Sequence, residues 1–274
     1  MKKIPFFKIS GSGNDFIIID NRNGRWDSVK TPQFVRSVCL RKISVGADGL
    51  IFIENSAGTD FAWRFFNSDG SEAEMCGNGG RCAARFAVLN RFAGPKLSFE
   101  TMAGIIHAEV EGTHVKIYLP QPEDLESDIG LEIDDRKLVL HSINTGVPHV
   151  VQFVEDVDRV LVKDLGGKIR FHQRFQPAGT NVNFVSQKDG NMLYIRTYER
   201  GVEDETLACG TGALAAALIA IAKGKAVSPV PVKTRSSEVL KVYTSETSPP
   251  FKDVCLEGGA RVVCEGEITE EAYK

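Results

Sequence analysis

Cys76-Gly77-Asn78-Gly79 recurs in the second half of the chain as Cys209-Gly210-Thr211-Gly212. Both copies run into alanine-rich stretches composed of good helix formers. The likeness extends upstream, where an apolar strand pattern ends in Arg64-Phe65-Phe66-Asn67 before the first copy and in Arg196-Thr197-Tyr198-Glu199-Arg200 before the second. An acidic turn follows each strand, at 68–74 and at 201–205. Self-similarity of this kind marks a repeated architecture, so the chain reads as two similar halves, each presenting strand, acidic turn, Cys-Gly-x-Gly and helix. A pseudo-twofold pair of such halves brings the two cysteines to face each other.

The residue types suit one kind of chemistry. Glycines after the cysteine let backbone approach a ligand and leave the first amides of a helix without acceptors, at the end whose dipole favours a thiolate or a bound carboxylate. A helix start lowers a thiol's pKa towards neutrality. Inverting a carbon that bears an acidic proton needs a base on one face and an acid on the other; a matched pair of thiols, Cys76 and Cys209, supplies both directions. The competing reading of the pair is a disulfide or redox switch, which leaves unexplained why each cysteine precedes exposed backbone and a helix start.

The totals restrict the alternatives. A chain of 274 residues with 42% hydrophobic content buries a core for one large domain or two ordinary ones. A net charge of −3 gives no general attraction to nucleic acid or to an anionic membrane. The amino terminus is broken by Pro5, Lys8 and residues 10–14, so no signal-peptide core is read there, and the longest apolar run, 213–222, is about half of the ~20 residues that span a bilayer. A soluble cytoplasmic protein is expected. The six cysteines lack paired zinc spacings, so no metal is expected, and Cys39, Cys82, Cys255 and Cys264 are read as structural.

Strands are predicted at 16–20, 50–54, 61–67, 105–110, 115–119, 147–153, 181–185 and 193–198, and helices at 31–41, 81–91 and 212–223, the first opened by Thr31 with Pro32 behind it. Pro120 and Pro122 break the chain, and the charged segment that follows, to about 136, reads as a crossing between domains.

The same residues resemble diaminopimelate epimerase over essentially the whole chain: Gly11-Ser12-Gly13-Asn14-Asp15-Phe16 at the start, Phe66-Asn67-Ser68-Asp69-Gly70-Ser71 leading to Cys76-Gly77-Asn78-Gly79-Gly80-Arg81-Cys82, and Tyr198-Glu199-Arg200-Gly201 leading to Cys209-Gly210-Thr211-Gly212. The resemblance implies an α/β (α+β) fold of two pseudo-symmetric domains, each a mixed β-sheet or barrel wrapped around a central helix. Residues 1–120, completed by a C-terminal strand at 265–274, would form one domain and 121–264 the other. It implies an isomerase that interconverts LL-diaminopimelate and the meso isomer without pyridoxal phosphate, on the route to lysine and peptidoglycan, usually as a homodimer.

Carried onto this chain, the resemblance makes Cys76 and Cys209 the acid/base thiols and the amides around Gly77, Asn78, Gly210 and Thr211 the holders of the reacting carboxylate. Asn14, Asn67, Asn181 and Arg200 would grip the substrate's polar ends, Arg200 suiting the distal carboxylate by its fork of donors. Glu199 would take the substrate ammonium and tune the thiols, with His149 near the site. Without the resemblance, asparagines in turns read as local backbone partners and His149 as structural. Two positions depart from the pattern: Val147 stands where some members carry asparagine, and Gly49 where some carry glutamine. A proline-type racemase shares the twin-cysteine architecture, but the Glu199-Arg200 pair and the asparagines suit a substrate charged at both ends. A non-catalytic amino-acid-binding protein or a thiol redox sensor on the same fold are the readings from other classes.

Overall fold

The computed structural model describes residues 3–274. The chain divides into two compact units, Met1–Ile117 with Gly258–Lys274, and Tyr118–Glu257.

The first unit is a sheet of β1 (Ile4–Gly11), β2 (Asn14–Asp20), β3 (Gly49–Glu54), β4 (Phe61–Asn67), β5 (Lys96–Thr101), β6 (Gly104–Glu111) and β7 (His114–Tyr118), each paired with the next. The last strand of the chain, Arg261–Ile268, pairs antiparallel with β1 and completes the sheet. Only β2/β3 and β4/β5 are parallel, and each of these pairs is bridged by a helix, α1 (Pro32–Cys39) and α2 (Gly77–Leu89) respectively. Parallel neighbours require such crossovers.

The second unit repeats the plan with β8 (Glu123–Ile133), β9 (Arg136–Asn144), β10 (Pro148–Phe153), β11 (Asn181–Asp189), β12 (Met192–Glu199), β14 (Val230–Lys233), β15 (Val239–Tyr243) and β16 (Cys255–Gly259), plus a short β13 (Asp204–Thr206) on β12. Its parallel pairs are β10/β11 and β12/β14, bridged by α3 (Val162–Arg170) and α4 (Gly210–Ala222). Strand for strand the two orders match. The four-residue motif is the visible trace of a repeat of the whole unit, with one difference: the leading strand is β8 in the second unit and the chain's final strand in the first.

β2 and β3 are apolar on both faces because both faces are covered. Ile17, Ile19, Leu50, Phe52 and Phe66 pack with Phe34, Val35 and Val38 of α1. The alternate residues turn to α2, where Phe16 meets Phe65 edge-on and Phe65 lies against Trp63. Helix α4 is buried at every position from Ala213 to Ile221, since β9 to β12, β14 and β15 all pack on it; a helix apolar all round belongs inside. Small alanines let those strands come close.

Three local readings differ from the sequence. The charged segment expected to be a crossing is β8, whose Ile129, Leu131 and Ile133 alternate inward while its bulges fall near Asp124 and Asp128, both at positive φ. The bulges and the charged outer face hide the period of two. Helix α2 starts at Gly77, not at 81, so the glycines are helical despite their low propensity. The final strand begins at Arg261, and its pairing with β1 assigns 261–264 to the first unit.

Candidate active site

Cys76 and Cys209 occupy the same local position, the N-cap of a buried helix. Both have extended backbones, φ −142° and ψ 117° for Cys76, φ −123° and ψ 110° for Cys209. Each carbonyl accepts the first helical bond, from Gly80 N–H at 2.8 Å and Ala213 N–H at 2.9 Å. Neither thiol caps its own first turn, so the leading N–H groups, at Gly77 and Asn78 and at Gly210 and Thr211, have no acceptor within their helices. Each helix tip therefore combines a sulfur with a fan of backbone donors at the positive end of the dipole. Cys209 Sγ lies 3.5 Å from Thr211 Oγ1, and Thr145 Oγ1 donates to the Thr211 carbonyl at 3.3 Å.

In the first unit a polar chain runs from the helix tip to the β1/β2 turn. Asn78 Nδ2 donates to Asn14 Oδ1 at 2.7 Å, and Asn14 Nδ2 donates to Asp48 Oδ2 at 3.1 Å. Fully buried Arg81 donates to Asn78 Oδ1 at 2.8 Å and to Ser12 Oγ, which fixes the orientation of the Asn78 amide and the turn that carries Asn14. Asp48 and Asp15 are clamped by Arg41. Burial would raise Asp15, but hydrogen bonds from Arg41 and Lys8 hold its carboxyl below the usual range. Asn67 ends β4 opposite Gly49, exposed, with its amide on Ser71 Oγ at 3.1 Å, and the next residue's N–H bonds the Asp48 carbonyl at 3.1 Å.

In the second unit the expected residues form a row across one end of the sheet. His149 of β10 stands opposite Asn181 of β11, and Glu199 continues the Val182–Tyr198 register on β12. Asn181 Oδ1 accepts from Arg200 N–H at 2.8 Å, and Arg200 Nη1 donates to the Ala178 carbonyl at 2.9 Å. Burial pushes the Glu199 carboxyl up. It pushes His149 down to about 3, assisted by the charge of Arg200, so this imidazole is neutral.

The residues expected from the sequence thus assemble within their own units: Asn14, Asn67, Cys76, Gly77 and Asn78 in the first, His149, Asn181, Glu199, Arg200, Cys209, Gly210 and Thr211 in the second. The departure at Gly49 has a steric cause, because a Cβ there would lie 2.6 Å from the Phe65 ring and 2.7 Å from the Phe66 carbonyl. Among the described residues no three His, Cys, Asp or Glu side chains gather to hold a metal ion. Of the remaining cysteines, Cys39, Cys82 and Cys255 are buried and Cys264 is exposed.

Sequence reading missed Asp48, Arg81, Asn183 and Thr197. The last two replace apolar partners: Asn183 pairs with Thr197 across β11/β12 where Ile51 pairs with Phe65 across β3/β4. The signal was an asparagine inside the apolar run Val182-Asn183-Phe184-Val185, which carries weight only once the strand's inner face is known.

Solved structures share this fold. A phenazine biosynthesis protein of the PhzF family from Bacillus anthracis is 17% identical with a TM-score of 0.74, covering 98% of this chain and 100% of its own. A hydroxyproline epimerase from Agrobacterium vitis is 13% identical with a TM-score of 0.69, covering 98% and 93%. A repeated α/β unit with a cysteine at the tip of each central helix, in a chain with the relatives below, defines an isomerase of the racemase and epimerase class. Within that class the chain belongs to the diaminopimelate epimerase family, whose model matches residues 6–122 and 141–261. The diaminopimelate epimerase of Aquifex aeolicus is 50% identical over 99% of this chain and 100% of its own, and that of Archaeoglobus fulgidus 44% identical over 96% of each.

Proposed function

We propose that this protein interconverts LL-diaminopimelate and meso-diaminopimelate with Cys76 and Cys209 as the two acid/base groups, in the biosynthesis of lysine and peptidoglycan. The observation that carries the reading is the duplicated N-cap cysteine, each sulfur beside backbone donors, in a member of this family.

One thiolate removes the α-proton, and the electron pair left on carbon spreads into the substrate carboxylate. The first-turn N–H groups at Gly77, Asn78, Gly210 and Thr211 are prepared for that growing charge, which is where fixed donors accelerate a reaction. The second thiol delivers a proton to the opposite face. Glu199, whose carboxyl is pushed up by burial, takes the substrate ammonium, whose positive charge favours the ionised carboxylate. Arg200 takes the distal carboxylate, and Asn14, Asn67 and Asn181 hold the remaining polar groups. His149, neutral, is a supporting residue. No cofactor or metal enters this scheme; the active form is a homodimer in the cytoplasm.

The test is solvent-deuterium incorporation into LL-diaminopimelate, with proline assayed beside it. Cys76→Ala and Cys209→Ala are each expected to abolish epimerisation while the circular dichroism spectrum stays native. Retained epimerisation in either variant, or turnover of proline in place of diaminopimelate, overturns the reading. Sedimentation velocity on the wild type tests the dimer.

A further inference from the structure

The floor beneath the two helix tips differs between the units. Below α2, a Cβ built on Gly79 would rest at 3.4 Å from both Ile51 Cδ1 and the Trp63 ring. Below α4, a Cβ on Gly212 would come within 2.3 Å of Asn183 Oδ1. Asn183 is fully buried, and three polar contacts hold its amide. Its Oδ1 accepts from Thr197 Oγ1 at 2.9 Å, its Nδ2 donates to the Val150 carbonyl at 2.9 Å, and the same Nδ2 lies 3.1 Å from Nδ1 of His149.

These contacts decide a proton's position. A carbonyl only accepts, so the Val150 oxygen fixes which end of the Asn183 amide is nitrogen. The second hydrogen of that nitrogen then points at His149 Nδ1, which must accept it and carries no proton of its own. A neutral imidazole with a bare Nδ1 bears its hydrogen on Nε2. Nε2 of this fully buried ring makes no hydrogen bond among the described residues.

We propose that Asn183 is a positioning residue that locks His149 in the Nε2–H tautomer, making it a fixed hydrogen-bond donor for an anionic group of the reaction and excluding it as a proton-accepting base. Its consequence for turnover rests on the epimerase reading above; the tautomer itself does not. The depressed pKa of His149 agrees with this, since a ring that stays neutral keeps its tautomer through the working pH range.

The experiment is nitrogen-15 NMR of the full chain with labelled histidine at neutral pH. The wild type is expected to show a pyrrole-type Nε2 and a pyridine-type Nδ1 for His149. In Asn183→Leu, close in volume and without a donor, Nδ1 loses the group that keeps it bare and the single-tautomer signature is expected to be lost, with kcat falling about tenfold, the worth of one lost hydrogen bond, and KM little changed. A protonated Nδ1 in the wild type refutes the assignment, and that spectrum requires no variant to fold. An unchanged single tautomer in Asn183→Leu, or a lost one with unchanged kcat, also refutes the proposal. Activity surviving in Cys76→Ala would instead overturn the reaction scheme and leave the tautomer standing.

Discussion

Gly79 and Gly212 hold the same place in the repeat, yet alanine is expected to act oppositely at the two. In either helix the substitution gains up to about 1 kcal/mol of propensity, less in a first turn. At 79 the new methyl meets Ile51 and Trp63 at 3.4 Å and Cys76 Cβ at 3.6 Å, ordinary contact distances. Gly79→Ala is therefore predicted to be neutral or stabilising by a few tenths of a kcal/mol. At 212 the methyl would overlap Asn183 Oδ1 at 2.3 Å, so the amide must leave its place. That breaks the bonds to Thr197 Oγ1 and the Val150 carbonyl, both 2.9 Å. Buried groups left without partners cost roughly 1–3 kcal/mol each. Allowing for the helix gain and partial rearrangement, Gly212→Ala should lose roughly 2–4 kcal/mol. Urea unfolding of the two variants beside the wild type, followed by far-ultraviolet circular dichroism, reads the difference. Equal stability of the two variants would refute the claim that the floor of the second site is a tightly held polar network.

Two further predictions concern pH. The folded pKa of His149, about 3, lies below its ordinary 6.5, so its contribution to stability is complete above that ordinary value and is lost as the pH falls towards the folded one. Between them the unfolded chain takes up a proton that the fold refuses, which adds about 1.4 kcal/mol per pH unit to acid destabilisation; His149→Gln should flatten the stability profile between pH 6 and 4.5 by about that slope, and an unchanged slope would count against a neutral buried ring. Glu199 has the reverse sign: burial raises its folded pKa, so its contribution to stability is present below the unfolded carboxyl pKa and is lost as pH rises through the folded one. Glu199→Gln should raise the melting temperature at pH 7 but not at pH 4 while increasing KM for diaminopimelate, and a destabilised variant at pH 7 would contradict the assignment.

The amino-acid sequence by itself determined the repeat, a helix after each Cys-Gly-x-Gly, and the strands whose runs are apolar on both faces, because propensity and short-range periodicity are local properties; the first turns, over the low-propensity glycines, were not read as helix. Asn67, Asn78, Glu199 and Arg200, next to those motifs, were legible as site candidates only through the likeness of the motifs to the family, since asparagines in turns read locally as backbone partners. The tertiary structure alone decided the rest. β8 became a strand only through its pairing with β9, and the chain's last strand joined the first unit only through β1. Arg81, inside an alanine-rich helix, shows its purpose only when Ser12 and Asn78 are seen within its reach. The contrast between Ile51 and Asn183 beneath two otherwise matching helix tips emerges where parallel pairing sets β10 beside β11. Which side chains share a buried face is fixed by ladders between distant segments, and no local pattern records it.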